Sequence, residues 1–236
     1  MVDLKTAVLL SAGLDSAVLA ASEARRSHVQ PIYVSAGLAW EAQELAALDR
    51  LLATAPFASL APLAHLTFTV RDLYPPTHWA LRGQPPAFDT PDEDVYLTGR
   101  NVILLSKAAI YCAQQGIGRI ALGPLAGNPF PDATPQFFDA MTRAMSLGLA
   151  HDIRIDAPFA TKEKSDVIKM GVELGIPLEL TLSCMNPRLR SLTGASARQA
   201  PLIEHCGVCS KCRERRDAFN EAGIDDPTRY AVQPIR

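Results

Sequence analysis

KTAVLLSAGLDS, residues 5–16, decides how this chain reads. Lys5–Leu10 is a short apolar run with small and polar residues directly after it, the pattern of a buried strand. Asp15–Arg25 reads as the helix that follows. Between them, Ser11-Ala12-Gly13-Leu14-Asp15-Ser16 forms a strand-to-helix loop. Small residues let backbone approach a ligand closely, and several N–H groups converge where the helix dipole is positive, an arrangement that binds phosphate. The hydroxyls of Ser11 and Ser16 add donors, and Asp15 stands where it could hold a magnesium ion or cap the helix. The loop is neither G-x-x-x-x-G-K-[ST] nor G-x-G-x-x-G. Alanine tolerates positive φ poorly, so Ala12 is expected in an ordinary backbone region, or else the loop is slightly strained.

Outward from this loop, strands and helices alternate. Val29–Val34, His65–Val70, Arg119–Leu122 and Ile153–Ile155 read as strands; Trp40–Ala53, Gly99–Gln114, Thr134–Leu147 and Glu163–Leu174 read as helices. Such alternation implies parallel strands with helices on both faces, an open α/β sheet that binds ligands at the carboxyl ends of its strands. Three stretches break the rhythm. Leu73–Glu93 carries five prolines and is expected to be a long loop, a lid or binding element. Gly123–Pro135 follows a strand directly, where open sheets place active-site loops. Met185–His205 reads as a polar linker.

The composition sets bounds. The 236 residues are 48% hydrophobic and 20% charged, ordinary for a folded chain. Lys and Arg number 23 against 25 Asp and Glu, a net charge of −2 that excludes nucleic-acid binding by bulk electrostatics. No apolar run approaches the ~18 residues of a membrane span, and the N-terminal apolar run is a strand, not a signal peptide.

Four of the five cysteines crowd the C-terminal end. Cys206, Cys209 and Cys212 form C-x2-C-x2-C, and 21 residues separate Cys184 from the first of them. This favours metal ligation in a reducing compartment over a disulfide framework. Four thiolates around Zn2+ would make a closed structural site; an iron–sulfur cluster, free thiols, and His205 replacing a cysteine are the alternatives. Cys112 reads as a buried small hydrophobe. Glu214, Arg215 and Arg216, in a helix ending near Ala222, read as a solvated face.

The loop resembles the S-G-G-x-D-S pattern of PP-loop ATP pyrophosphatases, with Ala12 where the pattern has glycine. With the cysteines added, the chain resembles the 7-cyano-7-deazaguanine synthase family of queuosine biosynthesis from Leu4 to about Ala222. Gly99-Arg100-Asn101 with Leu105-Ser106 is similar to the family's P-G-R-N-x-x-x-L-S, Thr98 replacing proline. Ala157-Pro158-Phe159, Lys164 and Asp166 to Gly171 are similar to its T-P-L…K-x-E-I-x-x-x-G. Thr181-Leu182-Ser183-Cys184 and Cys206 to Cys212 resemble T-x-S-C and C-G-x-C-x-x-C.

The resemblance implies a Rossmann-like PP-loop domain over residues 1–183 and a zinc-binding segment over 184–236. It implies ATP on Leu10, Ser11, Ala12, Gly13, Leu14, Asp15, Ser16, Arg100 and Lys164, with Mg2+, and catalysis by Asp15, Ser16, Lys164 and Arg100. Metal would sit on Cys184, Cys206, Cys209 and Cys212. The implied substrates are ATP, ammonia and a deazapurine carboxylate, handled by a cytoplasmic homodimer without membrane or direct nucleic-acid contact. One region departs: the family's D-x-S-G-Y-P-D-C-R is replaced by residues 126–134, AGNPFPDAT. That leaves Asn128 and Asp132 as polar candidates on the acceptor side, with Asp132 alternatively capping the next helix. A paralogue acting on another carboxylate, a non-catalytic ATP-binding module and a tRNA-thiolating enzyme are the other function classes.

Overall fold

The computed structural model describes residues 5–190 and 201–233. Its centre is a five-stranded parallel sheet of order β3-β2-β1-β4-β5, made of β1 (Lys5–Leu9), β2 (His28–Ser35), β3 (Ala64–Thr67), β4 (Arg119–Ala121) and β5 (Arg154–Asp156). Helices α1 (Leu14–Glu23), α2 (Glu41–Leu52) and α6 (Lys164–Glu173) share one hydrophobic cluster, through Leu19, Leu48, Leu51 and Ile168. Helices α4 (Arg100–Gln115) and α5 (Pro135–Leu149) share a second cluster on the other face, through Leu105, Ala109, Cys112 and Phe138. The expected alternation and two-faced cover are therefore present, and Cys112 is buried as anticipated.

The strand order places the fold's site. From β1 the chain moves outward through β2 to β3, then returns to pair β4 with β1 and continues to β5. The loops leaving β1 and β4 therefore diverge from adjacent strands, opening a crevice at their carboxyl ends. They lie against each other there: a Cβ built on Gly123, after β4, would stand 3.6 Å from the Asp15 carbonyl oxygen.

Three expectations need correction. Met185–His205 is not a plain linker, because β6 (Arg188–Arg190) and β7 (Leu202–Glu204) pair antiparallel within it; residues 191–200 lie outside the described region. Leu73–Glu93 contains one helical turn, α3 (Trp79–Arg82). His78 Nδ1 accepts from the Ala80 N–H at its start, and Gly83 ends it in the left-handed conformation. The ring of Trp79 stacks on Trp40 at 5.8 Å.

The third correction concerns α7 (Ser210–Ala222), whose charges are not a solvated face. Arg215 is fully buried. Its Nη1 donates to Thr181 Oγ1 at 2.8 Å and Ser183 Oγ at 3.2 Å, its Nη2 to the Leu178 carbonyl at 2.8 Å, and its Nε to Thr228. Phe219 lies beneath the guanidinium, 5.2 Å from ring centre to carbon. One cation thus ties α7 to the segment before Cys184. Arg216 lies over the ring of Phe88 and bonds Asp217. Arg215→Ala is expected to destabilise the protein by about 3 kcal/mol, because several buried acceptors lose their donor. Chemical denaturation reads this directly; a loss below about 1 kcal/mol would show that water replaces the guanidinium.

Candidate active site

The loop after β1 keeps ordinary backbone geometry. Among the described residues only Ala150 is a non-glycine with positive φ, so Ala12 is unstrained, and Gly13 is extended at φ −62, ψ 147. What Gly13 supplies is room: a Cβ there would stand 3.1 Å from Ser11 Oγ. Ser16 Oγ donates to the carbonyls of Ser11 at 2.9 Å and Gly13 at 3.0 Å, which closes the loop over the first turn of α1. No side chain caps that helix. Its first N–H groups therefore face the crevice free of a side-chain acceptor, as an anion site requires.

Asp15 is not a cap either. Its Oδ2 accepts from Lys164 Nζ at 3.1 Å, and its Oδ1 is buried without a partner. Lys164, the first residue of α6, also donates to Glu214 Oε1, and Glu214 Oε2 accepts from Lys211 Nζ at 2.5 Å. Burial alone would depress the Lys164 ammonium, but Asp15 and Glu214 outweigh it and hold its pKa above the ordinary lysine value. Burial would raise Glu214, yet Lys164 and Lys211 bring its carboxyl down to about 2. Lys164 and Glu214 are therefore both charged at neutral pH. Glu214 and Lys211 were not among the residues expected from the sequence.

Two adjoining hollows, of about 270 and 220 Å³, open onto this loop and share Ser11, Glu44, Arg100 and Phe130 in their walls. The first runs along the ends of β1 and β2, past Leu10, Ile32 and Val34, to Gly123, Asn128 and Asp132. The second holds Gly13, Leu14, Asp15, Lys164, Lys211 and Glu214. Arg100 stands between them at the start of α4, after Gly99 in the left-handed conformation, and its buried Nε has no partner. Ala12 is fully buried and faces neither; its carbonyl accepts from the Leu182 N–H at 2.8 Å.

The acceptor-side candidates differ in kind. Asp132 is buried; its Oδ2 accepts from the Asn101 N–H at 3.0 Å and Asn101 Nδ2 donates to its carbonyl at 2.9 Å. It thus caps α4, whereas Thr134 caps the next helix, α5. Burial raises the Asp132 pKa, and hydrogen bonds from Asn101 oppose that. Asn128 is exposed and its Oδ1 accepts from the Phe130 N–H at 3.0 Å. On the first hollow's floor, Tyr33 donates to the buried Glu44 carboxylate at 2.7 Å, a pair without an obvious local sequence signal.

Behind the second hollow, Cys184, Cys206, Cys209 and Cys212 are all buried, with their four sulfurs within 4.8 Å of one another. Two sulfur pairs stand 3.8 and 3.5 Å apart, near the ~3.8 Å edge of a tetrahedron with ~2.3 Å metal–sulfur bonds. The cluster could therefore hold a metal ion. His205 is not part of it: its Nε2 accepts from the Ser183 N–H at 3.1 Å, and burial with Arg215 nearby holds its pKa down to about 3. Gly207 is obligatory in the knuckle, since φ is +80 and a Cβ would stand 1.7 Å from the Val232 carbonyl oxygen.

The chain is 34% identical to a 7-cyano-7-deazaguanine synthase of Methanopyrus kandleri over 236 aligned residues, covering 95% of this chain and 98% of that one. It is 36% identical to one of Methanothrix thermoacetophila, covering 94% and 96%. The family described as queuosine biosynthesis protein QueC matches residues 5–223, which include the loop after β1, Arg100, Lys164 and all four clustered cysteines, and the chain belongs to that family.

Proposed function

We propose that this protein is an ATP-dependent carbon–nitrogen ligase converting 7-carboxy-7-deazaguanine and ammonia to 7-cyano-7-deazaguanine. The observation that carries the reading is the juxtaposition of an uncapped helix N-terminus, Lys164 and the unpartnered Asp15 Oδ1 in one crevice at the β1–β4 divergence. An anion and its counter-cation both find partners there. Mg2+ fits the free Asp15 oxygen, and zinc fits the four-thiolate cluster, which leaves no open position and so serves structure. In this reading residues 1–183 carry the chemistry and residues 184–236 hold the metal.

The reaction follows from the charges. A substrate carboxylate oxygen attacks the α-phosphorus of ATP, the bond to the β-phosphate bridging oxygen breaks, and pyrophosphate leaves with that electron pair. The α1 N–H groups, Ser11 and Ser16 hold the leaving phosphates, and Lys164 and Arg100 neutralise charge as it develops. Ammonia then attacks the acyl carbon and expels AMP, giving the amide. A second ATP activates the amide oxygen in the same manner, and loss of AMP with two N–H protons leaves the nitrile.

Residues 126–134 favour a second reading of the acceptor alone. Ala126, Gly127, Pro129 and Ala133 offer no side-chain donor or acceptor, and Asp132 is committed to α4, which leaves Asn128 to contact a substrate. A site that hydrogen-bonds a purine edge rejects analogues strongly because its buried polar groups go unpaired. This loop should therefore discriminate less, and a paralogue adenylating another carboxylate is the rival. Incubation with ATP, ammonia and 7-carboxy-7-deazaguanine, read by mass, tests both. Nitrile with AMP and pyrophosphate is the expected product set. ADP and phosphate would move the mechanism to a phosphorylated carboxylate, and no turnover beside tight ATP binding would make the protein a binding module.

A further inference from the structure

Lys211 lies in the cysteine knuckle, between Cys209 and Cys212, yet its side chain leaves the knuckle for the phosphate crevice. It lines the same hollow as Gly13, Asp15 and Lys164, and three-quarters of it is buried. Its Nζ meets Glu214 Oε2 at 2.5 Å and stands 3.7 Å from Asp92 Oδ1. The other oxygen of Glu214 takes Lys164. One carboxylate thus bridges two ammonium groups. The backbone holds this pairing in place: the N–H groups of Cys212 and Arg213 both bond the Cys209 carbonyl, at 3.0 and 3.2 Å, which makes a tight first turn beneath Lys211.

The charge balance shows what the second ammonium adds. Lys164 alone faces two carboxylates, Asp15 and Glu214, so the three sum to −1 and would repel a departing anion. Lys211, together with its second neighbour Asp92 and with Arg213, which stands 4.0 Å from the same Asp92 oxygen, brings the set to zero, and engagement of Asp15 by a divalent cation leaves it net positive beside the phosphates. A surface lysine in a solvated pair would contribute little. This one is preorganised in a partly closed site, where such charges act strongly on a developing anion.

We infer that Lys211 is a second cationic clamp on the pyrophosphate leaving group, held by Glu214 opposite Lys164. The inference rests on the ATP-cleaving reading above. It makes the metal knuckle a positioning device for the phosphate site as well as a fastening of the C-terminal segment.

Calorimetric titration of the full-length, zinc-loaded protein with inorganic pyrophosphate and Mg2+ tests it, with metal content and melting temperature measured alongside. Lys211→Met should bind pyrophosphate about tenfold more weakly than the unmodified protein, at unchanged metal content, and Lys211→Arg should recover most of the loss. Binding by Lys211→Met within about twofold of the unmodified protein, while Lys164→Met loses it, overturns this inference and leaves the ATP reading standing. An unmodified protein that does not bind pyrophosphate overturns both. Metal loss in Lys211→Met and Lys211→Arg alike assigns the lysine to the fold of the knuckle and overturns the clamp.

Discussion

Asp15→Asn is expected to lower ATP-dependent turnover by about 100-fold while leaving the melting temperature within about 4 °C. The two oxygens of Asp15 have separate duties. Oδ2 meets Lys164, which keeps Glu214 as its charged partner when the charge is removed, and the asparagine oxygen can still accept from the ammonium, so the buried cation is not left unpaired. Oδ1 is buried with no partner, which is costly unless a ligand fills the position. Asparagine retains the shape but surrenders the negative charge that a hard divalent cation requires. Steady-state release of pyrophosphate measures the effect, and thermal melting provides the control. Unchanged turnover at an equal melting temperature would show that Asp15 only fastens Lys164.

The sheet and the loop after β1 were legible because their signals are local. Lys5–Leu9 is apolar and short, the loop residues are small, and the stripe Leu45-Leu48-Leu52 marks α2 as amphipathic. Where contact partners are distant, the pattern carried less. Trp40 and Trp79 meet across 39 positions, 79 − 40, so nothing near Trp79 announces an ordered turn in a proline-rich stretch. Arg188-Leu189-Arg190 is wholly exposed and reads as polar linker, although its backbone pairs with Leu202–Glu204.

The α7 charges show a different limit. Cys212, Arg215, Ala218 and Phe219 form one helical stripe, buried throughout. The spacing is visible in the sequence, but an arginine on such a stripe is ordinarily assigned to solvent, because burying a cation is unfavourable without partners. Of those partners, Thr181, Ser183 and the Leu178 carbonyl lie 32 to 37 positions away, and Thr228 lies 13 away, beyond the end of the helix. Glu214 and Lys211 follow the same logic, since their meaning depends on Lys164, 50 positions from Glu214. At the candidate site, then, Gly13, Asp15 and Lys164, which line the second hollow, were readable from type and spacing, and Lys211 and Glu214 beside them were not.

Removal of the metal proposed for the four-cysteine cluster should have the largest effect on stability. Chelation, or Cys209→Ser, is expected to lower the melting temperature by at least about 10 °C, since metal bound only by the folded state adds its binding free energy to folding. The four sulfurs bring Cys184 together with the start of α7, and all are buried. Without an ion, thiolates left that close repel, and thiols cannot satisfy one another as an ion does. The damage should be graded. Hydrogen exchange should open α7 and the residues around Cys184 first, while β1, β2 and β4, buried between two helical layers, stay protected. Lys211 and Glu214 ride on α7, so pyrophosphate affinity should fall at chelator concentrations that leave the sheet intact. Elemental analysis should find one zinc per chain and no visible iron–sulfur absorption. A metal-free protein that melts with the metal-loaded one and binds pyrophosphate equally would show that sulfur packing alone holds the knuckle, and would detach the cysteines from the chemistry.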